Sequence, residues 1–326
     1  MTVLRWQSPN VEIWHGDARA VAAQQEPGSF SLAILDGPYG MNKAAWDRMG
    51  VAGLPDWYAP HIDDVDRLCA PSATLYLWNT AEGWATLHPG IVARGWRLFL
   101  PVIWHKIGSK ADNGAFHADA TEVCGWYVRE TYRARCAELR AQTGLTLEQL
   151  GRGLGCSPRL VQQWERPADA LGGPCRPTHS RLTHLATIAG YDVASAHREY
   201  LRHTVRRRAF GVSNVWSNPA AGGKERLRQG GGVVHPCQKP LAFADRMIRA
   251  SSRPGERVWA PFGGTCREAV AVETMARKDP AEARYCVTAD IDEDGRGYLD
   301  AVCRVLDGGG VASEDKRQTS MFGGDR

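Results

Sequence analysis

The sequence predicts an α/β chain: a doubly wound, mainly parallel sheet with a small helical domain inserted into it. Three observations carry this. Four consecutive apolar residues, Leu32-Ala33-Ile34-Leu35, read as a strand covered on both faces, and Asp36-Gly37-Pro38 forces a turn where that strand stops. Further strand-like runs, at 73–78 and 101–104 and again from Arg257 and Tyr285, alternate with helical stretches in the manner of βαβ units. Between residues 131 and 212 the style changes to short capped helices in basic surroundings.

The chain therefore divides into residues 1–130, an inserted helical domain at 131–212, residues 213–306 and a glycine-rich, charged tail at 307–326 that is expected to be flexible. A length of 326 residues with 43% apolar content leaves ample material for a buried core. No run approaches the roughly 18 to 20 apolar residues that span a bilayer, and Met1-Thr2-Val3-Leu4-Arg5 leads into polar sequence, so a cytoplasmic protein is expected. Nine cysteines without a Cys-x-x-Cys pair give neither a disulfide framework nor a zinc pattern; no metal is implied. Net charge is +4, but residues 129–228 carry 17 Lys and Arg against 8 Asp and Glu, so the remainder is net negative. That concentration fits a polyanionic partner.

In chain order, residues 11–15 alternate like a strand and end in Gly16-Asp17, with a helix expected over 18–25. Asp17 reads most simply as the cap of that helix. At the end of the next strand, Asp36 can accept a hydrogen bond from an amine, while Tyr39 offers a flat face to a planar ring. A polar helix around 61–69, a strand at 73–78, a helix ending near Arg94-Gly95 and a strand at 101–104 follow.

Residues 137–166 resemble the helix-turn-helix of Cro and phage-repressor proteins. Thr146 can cap one helix with Leu147, Leu150 and Leu154 inside, and Gly155 permits the turn; Ser157 can cap the next, with Pro158 at its first position. Val161 and Trp164 are then buried, and Arg159, Gln162 and Gln163 point outward, residue types that read guanine and adenine edges. A further helix over 181–189 and the run Arg206-Arg207-Arg208 complete the insert, the arginines suited to phosphates. Lys224 and Arg226, just beyond it, are further candidate DNA contacts.

The second half carries two more marked stretches. His235-Pro236-Cys237-Gln238-Lys239-Pro240-Leu241 opens a helix, and Ala260-Pro261-Phe262-Gly263-Gly264-Thr265-Cys266 follows a strand as a glycine turn into a helix near Thr265. Glycines there let backbone amides approach a ligand and let the helix begin close to the sheet. Asp290 and Asp292 end the following strand, where an acid can hold ribose hydroxyls.

Together these stretches resemble the permuted β class of S-adenosylmethionine-dependent DNA amino-methyltransferases. Asp36-Gly37-Pro38-Tyr39 is similar to the family's Asp-Pro-Pro-Tyr, residues 235–241 to its His-Pro-x-x-Lys-Pro-Leu, and residues 260–266 to its Asp-Pro-Phe-x-Gly-x-Gly. Gly37, Ala260 and Cys266 depart from the pattern. The resemblance implies a Rossmann-like methyltransferase sheet, S-adenosylmethionine as cofactor and duplex DNA as partner. It implies that Asp36 and the carbonyl of Gly37 orient the exocyclic amine of a flipped base, with Pro38 shaping the turn and Tyr39 stacking on the ring. It places Asp17, His235, Lys239, Pro261, Phe262, Gly263, Gly264, Thr265, Asp290 and Asp292 around the cofactor. An aspartate at the head of the motif favours adenine N6; cytosine N4 stays open, as does a decayed enzyme that acts as a helix-turn-helix DNA-binding regulator. Gln318, Met321 and Phe322 resemble a peptide that docks on the bacterial sliding clamp, and a homodimer is left open.

Overall fold

The computed structural model describes residues 2–107, 120–129, 131–165, 178–191, 213–222, 225–229, 232–235, 237–292 and 297–308. Strands β1 (Val3–Ser8) and β2 (Val11–His15) are followed by α1 (Ala18–Ala22), β3 (Phe30–Leu35), α2 (Gly50–Leu68), β4 (Cys69–Asn79), α3 (Ala81–Ala93), β5 (Arg97–Lys106) and β6 (Thr121–Val128). Residues 129–212 form a compact unit of their own, with helices α4 (Thr131–Thr143), α5 (Leu147–Gly153), α6 (Pro158–Glu165) and α7 (His179–Ile188). The first unit resumes with β7 (Val215–Asn218), the short pair β8 (Arg228–Gln229) and β9 (Gly232–Val233), then α8 (Leu241–Ser251), β10 (Arg257–Ala260), α9 (Arg267–Lys278), β11 (Tyr285–Asp290) and α10 (Tyr298–Asp307).

Nine strands form one sheet in the order β1-β2-β11-β10-β3-β4-β6-β5-β7. From β2 to β4 all pairs are parallel, whereas β1 and β6 run against their neighbours. The apolar run of β3 explains why the sheet is wound on both faces. Leu32 and Ile34 join Tyr76, Val258, Phe243 of α8 and Val270 of α9 in one core; Ala33 and Leu35 join Leu75, Trp259, Ile62 of α2 and Leu87 of α3 in the other. Alternate residues of a strand face opposite ways, so a strand apolar at every position is stable only between two helical layers. Each such large side chain removed from water contributes about 1.5–3 kcal/mol.

Several elements differ from expectation. Strand β1 is an exposed edge whose burial pattern carries no apolar signal; Arg5 pairs with Asp300, and the Trp6 indole donates to Asp307 at 2.7 Å. Helix α1 stops at Ala22, short of residue 25, and α2 begins at Gly50, well ahead of 61, because Pro55 and Pro60 inside it mimic a helix boundary. Strand β5 extends beyond 101–104 at both ends, and β6 was not expected at all, since Gly125 breaks its alternation. The helix after the glycine turn starts at Arg267, with Cys266 in the left-handed region at φ +46°. None of the helices among the described residues is long and apolar enough to cross a membrane.

Within the second unit, Leu139, Leu150, Leu154, Val161, Trp164, Leu182 and Leu185 share one core. A capping box starts α5: the Thr146 hydroxyl accepts from the Gln149 amide at 3.2 Å, and the Gln149 side chain accepts from the Thr146 amide at 2.8 Å. The chain turns through Gly155 at φ +62° into α6. Arg140 clamps Glu165 with two bonds, at 2.6 and 2.9 Å, and so ties α4 to the end of α6.

Candidate active site

Strands β2, β11, β10, β3 and β4 all end at the same edge of the sheet, and β3 and β10, which begin the windings on opposite faces, lie side by side. A crevice outside the carboxyl ends of such strands is where open α/β sheets bind ligands. His15, Asp36, Asn79, the turn after Ala260 and Asp290 converge on that edge.

The turn after β3 is built around close packing. A Cβ at Gly37 would lie 2.8 Å from both the Phe262 ring and the Tyr58 hydroxyl, so the glycine that departs from the family's proline is the residue this site has room for. The turn is not loose: Tyr58 and Asn79 each donate to the carbonyl of Pro38 at 3.2 Å. The loop beyond is wound around Asp47, which is 1% exposed and accepts from the backbone amides of Tyr39, Gly40, Met41 and Lys43 at 2.6–3.1 Å. Four amide donors compensate a carboxylate that burial would otherwise make costly.

Lys239, expected to border the cofactor, reaches Asp36. Its ammonium lies 2.8 Å from Asp36 Oδ1, 2.9 Å from the Tyr39 hydroxyl and 3.2 Å from Glu122 Oε2. The Tyr39 hydroxyl lies 3.0 Å from Asp36 Oδ1 and 2.9 Å from Glu122 Oε2, and Lys106 pairs with Glu122 Oε1 at 3.1 Å. Burial pushes Lys239 towards losing its proton, but Asp36 and Glu122 outweigh it and hold the group above the ordinary lysine range. Burial likewise works against an ionised Glu122, and Lys239 and Lys106 reverse it, leaving this carboxyl below its usual value. Burial, then Asp36 and Glu122, keep the Tyr39 phenol protonated.

The glycine turn occupies the neighbouring strand end. A Cβ at Gly263 would meet Thr288 Oγ1 at 2.6 Å, while Gly264 is at φ +49° and donates its amide to Asp290 Oδ2 at 2.7 Å. Asp290 also accepts from the Tyr298 hydroxyl at 2.7 Å and the Asp292 amide at 2.9 Å. A carboxylate on the next strand thus holds the turn where Ala260 offers none. Pro261 and Thr265 are buried in the turn. Phe262 packs among Trp57, Tyr58 and His61, with centroids 4.9–5.9 Å away. His235 stacks on Trp46 at 6.1 Å and meets Tyr298 edge-on at 5.2 Å; burial lowers its pKa and keeps it neutral. Gln238 anchors the motif by accepting from the Leu227 amide at 3.0 Å and donating to the Glu225 carbonyl at 2.7 Å.

Other expected residues lie apart from this cluster. Asp17 caps α1, accepting from the Arg19 amide at 2.7 Å. Arg226, expected to meet DNA, is half-buried and donates to the carbonyls of Ala221 and His235 at 3.2 and 3.1 Å. In the second unit Arg159 and Gln162 are exposed and Gln163 is half-exposed. Arg206, Arg207, Arg208, Lys224, Gln318, Met321 and Phe322 lie outside the described residues. Sequence reasoning missed Glu122, Asp47 and Tyr58; a charged residue inside the β-prone run 121–128 was the one available signal for Glu122.

A doubly wound sheet whose strand ends set an acid-Gly-Pro-Tyr turn beside a glycine turn has the architecture of α/β folds that bind ligands at the carboxyl edge. A sequence model of the DNA methylase family, N6_N4_Mtase, matches residues 30–295, and the chain belongs to that family. It is therefore a DNA methyltransferase. Among solved structures, the cytosine-N4-specific PvuII DNA methyltransferase is similar over 94% of this chain and 95% of its own, with 13% identity and a TM-score of 0.53, which shows a shared fold. A Thermus thermophilus protein described as a candidate DNA modification methylase, solved with S-adenosyl-L-methionine, is 17% identical over 91% of this chain and 92% of its own, with a TM-score of 0.48. The M1.HpyAVI complex with its cofactor is 14% identical over 91% and 98%, with a TM-score of 0.46.

Two measurements test this geometry. Asp47→Ala strands four backbone amides and is expected to cost about 2–5 kcal/mol of stability in denaturant unfolding; a loss below about 1 kcal/mol would contradict the loop's dependence on this carboxylate. Burial lowers the His61 imidazole to about 4 from an ordinary 6.5, against the opposing charge of Asp17. A histidine with a depressed folded-state pKa favours the unfolded chain as pH falls, so its stabilising neutrality is complete above about 6.5 and lost progressively down to about 4. His61→Phe is expected to lose less melting temperature than wild type between pH 7 and pH 4.5; an equal loss would contradict the burial of a neutral ring.

Proposed function

We propose that the chain transfers the methyl group of S-adenosylmethionine to the exocyclic amine of a base flipped out of duplex DNA, adenine N6 in the first place, with Asp36 as the amine's acceptor. The observation that carries this reading is the convergence of Asp36, Tyr39 and buried Lys239 at the end of β3, one strand from the glycine turn held by Asp290.

The residues at the second strand end suit the cofactor. Asp292 Oδ1 and His235 Nδ1 are buried without a hydrogen-bond partner among the described residues, and buried polar atoms of this kind call for a ligand group. Asp290 spends both oxygens on the protein itself, so Asp292 is the better acceptor for a ribose hydroxyl, with Asp290 setting the turn. Phe262 and the turn through Gly263 and Gly264 border the same place, with both glycine amides already donating to the protein, Gly263 to the Ala289 carbonyl at 2.8 Å and Gly264 to Asp290. When bound, the cofactor supplies a methyl group activated by a positively charged sulfur.

The protein's part is mostly positioning. Asp36 and the carbonyl of Gly37 accept the two amine hydrogens, which directs the nitrogen lone pair out of the base plane and towards the glycine turn. Tyr39 lies against the base. The Asp47-wound loop fixes these groups before the base arrives; the N–C bond would form as the methyl's bond to sulfur breaks to leave a neutral thioether, and the amine's proton would then pass to water.

Recognition of sequence is assigned to the second unit read as a helix-turn-helix, with Arg159, Gln162 and Gln163 of α6 at base edges and the arginines at 206–208 on phosphates. The buried ion pair between Asp36 and Lys239 argues against a decayed enzyme, because a pure DNA binder has no use for it.

The test is transfer of labelled methyl from S-adenosylmethionine to mixed-sequence duplex DNA, followed by digestion to nucleosides. Label in N6-methyladenine is the expected outcome. Label in N4-methylcytosine would retain the mechanism and change the base; label in neither would overturn the reading.

A further inference from the structure

We propose that Lys239 reads a ring nitrogen flanking the target amine, so that Asp36 and Lys239 form an acceptor-donor pair matched to the amino bases and mismatched to the keto bases. The proposal rests on the reading of Asp36 as the amine's acceptor and extends it from one atom of the base to two.

Hydrogen counting shows which bond is free to change. An ammonium has three hydrogens, and Lys239 has three acceptors: Asp36 Oδ1, Glu122 Oε2 and the Tyr39 hydroxyl. Two of these are carboxylates. The third is a neutral phenol, and its own hydrogen has a carboxylate oxygen within 3.0 Å on either side. Tyr39 therefore stays satisfied without Lys239, and the ammonium-phenol bond is the one that an entering base displaces at least cost. A hydrogen directed towards Asp36's neighbourhood then becomes available beside the carboxylate that takes the amine.

That arrangement has a definite chemical complement. An amine hydrogen for Asp36 next to an unprotonated ring nitrogen for Lys239 is found on adenine, at N1 or N7, and on cytosine, at N3. Guanine and thymine set a carbonyl oxygen where the amine stands, which places an acceptor against the Asp36 carboxylate and is repelled. The pair thus selects by attraction and by repulsion.

The surroundings keep Lys239 in this role. Its side chain is 10% exposed, and Glu122, at 14%, holds it from the far side while itself paired to Lys106. Two carboxylates face two ammoniums, so Asp36 remains an acceptor and Lys239 a donor without net buried charge. The Trp78 ring, 5.6 Å from the ammonium, walls off another direction. Glu122 and Lys106 act through Lys239 and are positioning residues.

The experiment uses the full-length protein and a synthetic duplex carrying a methylated site mapped on mixed-sequence DNA. The target base is replaced by 1-deazaadenine or 7-deazaadenine, or by 3-deazacytosine if cytosine is the base, and wild type is compared with Lys239→Met in a double-mutant cycle. For wild type, loss of the one nitrogen that is read is expected to lower kcat/KM by roughly 10- to 100-fold, the scale of a hydrogen bond to a charged group. For Lys239→Met the same replacement should cost less than about threefold, because the bond is already gone. If the variant turns over too slowly, anisotropy binding of the same duplexes with S-adenosylhomocysteine gives the cycle instead. Losses that multiply independently would overturn the proposal with the amine reading intact. No transfer by wild type to the unmodified duplex would overturn the reading and the proposal together.

Discussion

Two carboxylates, Asp36 and Glu122, meet at the carboxyl end of the sheet around one buried ammonium, that of Lys239, which is shared between them. Removing an ionised carboxylate from water costs several kcal/mol unless a partner and hydrogen bonds replace the solvent. The constraint reaches across the chain. It requires β3 to deliver Asp36, β6 to run antiparallel and present Glu122, β5 to bring Lys106, and the segment ahead of α8 to return after the inserted unit with Lys239. Distant stretches of sequence are thereby committed to one point on one edge of the sheet.

The departures from the family pattern are offset close to where they occur. Gly37 leaves the space that Phe262 and Tyr58 fill, and Tyr58 with Asn79 restrains the turn that proline would otherwise stiffen. Ala260 lacks a carboxylate, and Asp290 supplies one to the amide of Gly264. Cys266 takes the left-handed conformation that glycine adopts without strain, at a cost of about 1 kcal/mol, and its side chain is fully buried. Phe262 links the two halves of the site, touching the Gly37 side with one edge and the Trp57–His61 ring cluster with the rest.

What the sequence made legible is what local backbone chemistry marks. Asp36 before Gly-Pro, the paired glycines after Phe262 and Asp290 at a strand end all carry turn residues that declare themselves, and the unbroken apolar run of β3 requires helices on both faces. The ion cluster was hidden because its members are single charged residues brought together by sheet pairing. Glu122 lies in a strand masked by Gly125, and Tyr58 in a helix masked by Pro55 and Pro60. Asp47 looks like any loop acid until four amides are seen to point at it. Lys239 and Asp36 were each singled out, but not as partners of one another, since their bond joins residues 203 positions apart.

The central claim is that Asp36 acts on the amine and not on the cofactor. Single-turnover methyl transfer to duplex DNA by Asp36→Ala, measured beside calorimetric binding of S-adenosylmethionine, tests it most directly. The account predicts a transfer rate lower by about a thousandfold or more with cofactor affinity within about threefold of wild type. Transfer at a rate near wild type, or a loss fully explained by weaker cofactor binding, would contradict it.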